Sequence, residues 1–121
     1  MFAFDAHLAL YAPPRSALAA AGRAIGLRVV VEGFADRAYR PDGSLVPRGE
    51  PDAVIGHVED VVNRAMLMAV ERTVTAIDGT RFQLDADTIC IHGDTAGAAS
   101  MAAWIRAGLQ SSGVDVKAPR A

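Results

Sequence analysis

The densest set of side chains able to do chemistry lies between residues 32 and 48: Glu32, Asp36, Arg37, Arg40 and Arg48. A carboxylate beside forked guanidinium groups suits an acidic small molecule or a phosphate, because arginine grips both bidentately. The same residues also fit a solvated charged loop pinned by local ion pairs, and composition does not separate the two. A second group is His92-Gly93-Asp94. With an ordinary pKa of about 6.5, His92 is suited to donate or accept a proton near neutrality. Asp94 suits orienting that imidazole, binding an ion or capping a following helix. Gly93 allows a tight turn or a close backbone approach, and a helix N-terminus behind it would favour an anion.

Other reactive side chains read more plainly. Cys90 alternates with His92 along an apolar run and reads as a core thiol. His7 and His57 have no partners at metal-ligand spacing and read as surface or capping residues, so no metal site is assigned. Met66 and Met68 read as core packing. The sequence holds no zinc pattern, GxSxG, GxGxxG or GxxxxGK[ST] motif, so nothing in it binds a nucleotide by motif.

The elements that must carry these groups follow from periodicity. Residues 6–12 form a short apolar strand ended by Pro13-Pro14, and Ser16 caps a helix running to about Ile25, with Gly26 at its C-terminal end. The β-branched run 28–34 reads as a second strand. A strand–helix–strand unit implies a parallel sheet, and Glu32 to Arg48 then sit at or beyond a strand's C-terminal end, where parallel α/β folds bind ligands. Residues 35–55 form a long polar connection, a length usually kept for function or mobility. Helical spacing of apolar residues predicts a helix over 57–72. Strands 74–77 and 81–84 flank the Asp78-Gly79 turn signal. Residues 87–92 form another strand, and a helix after Asp94 carries Ala98, Met101, Ala102, Ile105 and Leu109 on one side and stops at Gly113. A tail over 117–121 is expected to fray.

Size and charge bound the function classes. A chain of 121 residues has room for one modest domain, 1–121, with one core. A net charge of −2 with scattered basic residues argues against nucleic acid or an anionic membrane surface as partner. One cysteine precludes an internal disulfide, and no apolar stretch reaches the roughly 18 residues that span a bilayer, so a cytoplasmic setting is expected. About three parallel strands are too few to close a barrel of about eight, and such a partial sheet leaves edges that something must cover.

The run Glu32-Gly33-Phe34-Ala35-Asp36-Arg37-Ala38-Tyr39, followed by Asp42-Gly43-Ser44-Leu45-Val46-Pro47-Arg48, resembles a block of the LamB/YcsF family. Ala53-Val54-Ile55 matches a short apolar stretch there, and Asp87-Thr88-Ile89-Cys90-Ile91-His92-Gly93-Asp94 resembles the family's second block. Order and spacing agree from about residue 6 to residue 115. The family's N-terminal blocks (Asp-Leu-Asn-x-Asp-x-Gly-Glu, Gly-Phe-His-x-Gly-Asp and Lys-Pro-His-Gly) do not occur, so the resemblance is to the C-terminal half. Gly33 stands where an apolar side chain is common in the family, which is expected to loosen the strand end.

The resemblance implies the A subunit of an ATP-dependent 5-oxoprolinase, acting with subunits B and C to open the lactam of 5-oxo-L-proline to L-glutamate. It implies a β/α fold of the glycoside hydrolase/deacetylase type, here half of a TIM-like barrel with a small hairpin. On that reading Arg37 and Arg48, with Asp36, hold the substrate carboxylate or a phosphoryl group. His92 moves a proton, and Asp94 and Glu32 orient it or a bound ion. ATP enters with the partner subunits, and either an N-terminal half or a second copy of the chain completes the barrel. Two other readings stand beside it: a catalytically incomplete, self-associating module that binds a small acidic ligand, and a carbohydrate or amide hydrolase with a self-contained site.

Overall fold

The structure is a computed structural model that describes residues 5–119, and it is a mixed α/β arrangement of parallel strands and helices. β1 (Ala9–Ala12), β2 (Arg28–Phe34) and β5 (Thr88–Cys90) form a parallel sheet in the order β1-β2-β5. β3 (Thr73–Thr75) and β4 (Arg81–Gln83) form the expected antiparallel hairpin around Asp78-Gly79. Three helices accompany them: α1 (Ala17–Ala24) joins β1 to β2, α2 (Val58–Met66) lies between β2 and β3, and α3 (Ala98–Ser111) follows β5. No helix among the described residues is long and apolar enough to cross a membrane.

Local chemistry sets the boundaries. The Ser16 hydroxyl accepts the Ala19 N–H at 3.1 Å and so starts α1 as expected. β1 begins three residues later than its apolar run, because the Asp5 carboxylate accepts the His7 N–H at 2.8 Å and draws residues 6–8 into a turn. The predicted 57–72 helix holds α-geometry only to Met66; Leu67–Glu71 widen into a π turn that ends at Arg72 in the left-handed region. α3 starts at Ala98 behind Gly97, so Asp94 lies too early to cap it. Residues 117–119 have no regular structure, and the remainder of the expected frayed tail, 120–121, lies outside the described residues.

The main core gathers Phe34, Tyr39, Val61, Met68, Met101 and Ile105, with α2 packed on α3. A second cluster, Leu10, Ala12, Ala19 and Leu27, joins α1 to the sheet. There Gly22 lets the helix approach the strand: a Cβ at that position would lie 2.6 Å from Leu10 Cδ2.

Gly33 does not loosen its strand. A Cβ there would lie 3.2 Å from Ala86 Cβ, 3.3 Å from Met68 Sδ and 3.4 Å from Leu84 Cδ2, so those side chains already fill the space. Gly33→Val therefore overpacks this face and lowers stability by about 1–3 kcal/mol. A urea titration of the chain should show a lower midpoint with an unchanged slope; an equal or higher midpoint would show that the neighbours can yield.

The connection 35–55 is ordered. Ala38 N–H donates to Ala53 O at 2.9 Å, Val46 N–H to Ala38 O at 2.9 Å and Arg40 N–H to Ser44 O at 2.8 Å. Isolated bridges pair Arg37 with Val54 and Tyr39 with Leu45, and Ala38, Val46 and Ala53 form a small core of their own. A segment that looks polar by composition thus buries Ala38, Val46 and Ala53 and pairs part of its backbone internally, while Val54 stays exposed.

Candidate functional site

Parallel register brings the two sequence blocks together. Glu32 faces Thr88 and Phe34 faces Cys90, so the next residues beyond the sheet place Asp36 beside His92. Upstream, the Asp87 carboxylate accepts the Val31 N–H at 2.9 Å and the Asp87 N–H donates to Val31 O at 2.8 Å, which fixes the register before the site is reached.

At the C-terminal rim, Asp36 is fully buried and both of its oxygens serve His92. Oδ2 accepts the His92 backbone N–H at 2.9 Å, and Oδ1 and Oδ2 lie 3.0 and 3.1 Å from the imidazole Nδ1. A carboxylate only accepts, so Nδ1 carries the hydrogen and the neutral ring's lone pair lies at Nε2. The Phe34 ring stacks on the imidazole at 5.5 Å and 19°, fixing its plane. The His92 side chain retains 25% exposure, and Nε2 has no partner among the described residues. This is an oriented proton donor–acceptor at the mouth of a parallel sheet.

The remaining expected residues divide. Asp94 does not touch His92; it lies on the surface, 3.5 Å from Arg48, and that ion pair ties the 35–55 loop to the turn after β5. The carboxylate that orients His92 is therefore Asp36, which had been expected to face substrate. Arg37 is buried, donates from Nη2 to Val46 O at 2.8 Å and leaves its Nε–H without a partner among the described residues. Glu32 is half-buried on β2, and its carboxylate makes no hydrogen bond among the described residues. Arg40 pairs with Glu50 at 3.0 Å on the surface, away from the imidazole. No group of three or more His, Cys, Asp or Glu residues among the described residues is placed to hold a metal ion.

Sequence reasoning missed two residues that hold the rim. Arg64, on α2, donates from Nε to Ala35 O at 3.0 Å, from Nη2 to Arg37 O at 2.7 Å and from Nη1 to Thr75 O at 3.2 Å. It grips the carbonyls on either side of Asp36 and joins them to the hairpin. Burial is the main influence on its guanidinium and pushes its pKa down from the ordinary arginine value. The other is Tyr39, whose hydroxyl accepts the Phe34 N–H at 3.0 Å where the ladder runs out. Burial raises the Tyr39 pKa, outweighing the opposing pull of the Phe34 amide and of Arg64 and Arg37. A signal for Arg64 did exist: it sits three residues after Val61 and four before Met68, on the buried stripe of its helix.

Cys90 is half-buried, and desolvation first, then the charges of Glu32 and Asp36, raise its thiol pKa. The thiolate, which is the nucleophile, is thereby disfavoured. Iodoacetamide should label Cys90 several-fold more slowly in the folded chain than in urea at pH 8, read by intact-mass spectrometry; equal rates would show a freely ionising thiol.

A LamB/YcsF family model matches residues 1–121. The 5-oxoprolinase A subunit of Streptomyces griseus is 53% identical over 105 residues, covering 87% of this chain and 42% of that protein. The 5-oxoprolinase A subunit of Chloroflexus aggregans is 48% identical over 118 residues, covering 98% of this chain and 47% of that protein. The crystal structure of a lactam utilization protein from Thermus thermophilus superposes with a TM-score of 0.90 at 39% identity, over 98% of this chain and 47% of that one. The chain thus spans a little under half the length of these relatives, and it belongs to the LamB/YcsF family.

Proposed function

We propose that this chain supplies the proton-transfer rim of an ATP-dependent 5-oxoprolinase, as the C-terminal half of a TIM-like barrel that opens 5-oxo-L-proline to L-glutamate. The observation that carries the reading is the Asp36–His92 pair at the C-terminal ends of parallel strands, in a chain whose relatives are named as the A subunit of 5-oxoprolinase. A lactam is an unreactive amide, and opening it needs activation of the carbonyl oxygen, delivery of water and a proton for the departing nitrogen. His92 Nε2 takes the proton from the attacking water or returns one to the lactam nitrogen, while Asp36 holds the ring and stabilises the imidazolium. Arg48, released from Asp94, is the side chain available to hold the substrate carboxylate.

ATP would activate the amide oxygen by phosphorylation. The residues present do not build a triphosphate cradle: the 93–97 turn before α3 carries two glycines but no lysine, and Arg48, which reaches it, is engaged by Asp94. No step on this chain is therefore routed through the nucleotide, which would be held elsewhere in the assembly.

The test is 5-oxoproline-dependent ATP hydrolysis by a full-length chimera, with this chain replacing the matched residues of the Streptomyces griseus relative, mixed with subunits B and C. Turnover should appear and should fall about 10²–10⁴-fold in His92→Gln. Absence of 5-oxoproline-dependent turnover by a folded chimera would sink the enzymatic reading, and retention of full turnover in His92→Gln would remove His92 from it.

A further inference from the structure

On the face of β2 turned away from His92, α1, the β3–β4 hairpin and the tip of the 35–55 loop border a cavity of about 290 Å³. Side chains alternate along a strand, so Val31, which lines the cavity, points opposite to Phe34, the residue stacked on the imidazole. The floor is apolar: Val31 and Leu84 are buried, and Phe82 is half-buried. Gly43 belongs to the wall, and a Cβ there would lie 3.9 Å from both Arg15 Nη1 and Phe82 Cε2, so its bare backbone keeps that side clear.

Two guanidinium groups border this floor. The Ser16 hydroxyl that caps α1 also donates to Pro13 O at 2.7 Å, and the turn it closes holds Arg15 in the left-handed region at φ 56°. From there Arg15 crosses to the hairpin, where Nη2 donates to Gln83 O at 3.3 Å. Arg23 lies on the last turn of α1, and its side chain has no hydrogen bond or ion pair among the described residues. Roughly 10 Å of helix separates it from the Ser16 cap, a span that two long side chains close onto a ligand of a few carbons. Asp85 is the single carboxylate on the lining among the described residues. Its charge reaches Arg15, but its oxygens are bonded by Arg72 at 2.9 Å and by the Gln83 amide at 3.3 Å. The cavity thus offers an apolar floor with more positive than negative charge around it.

We propose that this cavity binds a short dicarboxylate, its two ends held by Arg15 and Arg23 and its hydrocarbon spine laid on Val31, Phe82 and Leu84. The planar fork of a guanidinium matches both oxygens of a carboxylate, and two such forks select two acidic ends. A few apolar contacts with a small number of placed charges is the usual make-up of a small-molecule site. Inorganic phosphate would engage the arginines but leave the apolar floor uncovered. The bound acid ties the start of α1 and the hairpin to the loop that carries Asp36. The reaction at His92, on the other face of the sheet, plays no part in this binding.

Glutarate titrated into the nitrogen-15-labelled 121-residue chain, followed by its amide shifts, tests the proposal. Saturable shifts should centre on Arg15, Val31, Gly43 and Gln83. Butyrate, with one carboxylate, should bind about 10-fold more weakly, and the neutral glutaramide about 100-fold or more. Inorganic phosphate should bind no better than butyrate. Arg15→Gln and Arg23→Gln should each bring glutarate down to the butyrate level, whereas Arg28→Gln, exposed and outside the cavity, leaves its affinity unchanged. Both arginines are exposed, so the variants should keep the parent's urea midpoint, which separates lost binding from lost fold. Shifts that fail to saturate or that scatter over the surface arginines overturn the proposal. So does glutaramide binding as well as glutarate, or undiminished glutarate affinity when both arginines are replaced together. Phosphate binding more tightly than glutarate overturns it by giving the arginines to a phosphate ligand.

Discussion

Asp36→Asn is expected to lower the 5-oxoproline-dependent turnover of the chimera by roughly 10³–10⁴-fold, the scale seen when an imidazole loses the carboxylate that fixes its tautomer. The carboxylate accepts twice from one residue, from the His92 backbone N–H at 2.9 Å and from Nδ1 at 3.0 Å. An asparagine has one acceptor oxygen. If that oxygen keeps the backbone N–H, its amide group faces Nδ1 and drives the hydrogen to Nε2, the atom that should receive the substrate's proton. If it keeps Nδ1, the amide N–H confronts the His92 N–H inside a buried site, at a cost of about 1–3 kcal/mol. Either way the side chain size is preserved, so the loss should fall on kcat with little change in KM. A nitrogen-15 NMR spectrum of the histidine ring in the 121-residue chain gives an independent readout, the shift of tautomer away from Nδ1–H. A loss of less than about tenfold, with the wild-type tautomer retained, would remove Asp36 from the proton-transfer pair.

Arg64→Met should be the most destabilising single change on the site's scaffold, costing on the order of 3 kcal/mol. The methionine covers similar apolar area but leaves the Ala35, Arg37 and Thr75 carbonyls without their donor. Hydrogen bonds to a charged group contribute about 1.5–3 kcal/mol each, and three on one guanidinium are not additive, which sets the figure. Arg64→Lys should recover only part of the loss, because a single ammonium does not reach three carbonyls that the planar fork spans. Urea unfolding of the 121-residue chain measures both. A difference of less than about 1 kcal/mol for the methionine variant would class Arg64 with ordinary surface arginines.

These two residues also show what was legible. Asp36 and His92 stood out by type and by block, and the parallel strand–helix–strand pattern correctly set both at strand ends. Their mutual contact was not legible, because 56 residues separate them and only the β2–β5 register decides which carboxylate meets the imidazole. Asp94, two residues from His92 in the chain, was the natural local choice; the turn at 93–97 carries it to the surface and toward Arg48 instead. Arg64 belonged to no motif, and its role exists only because α2 packs against the loop that carries Asp36. Gly33 looked like a weak point until the side chains of Ala86, Met68 and Leu84 were seen to occupy its missing Cβ.

The sequence by itself determined the local facts of this protein: the Ser16 cap, the Asp78-Gly79 turn, the strand and helix types and the two blocks that mark the LamB/YcsF family. Each of these depends on a few neighbouring residues and their intrinsic preferences. Tertiary structure alone decided which charges face one another, that the 35–55 connection folds on itself, and that β5 lies at the edge of the sheet among the described residues. Those outcomes depend on strand register and on helix packing across tens of residues, where no local preference reaches.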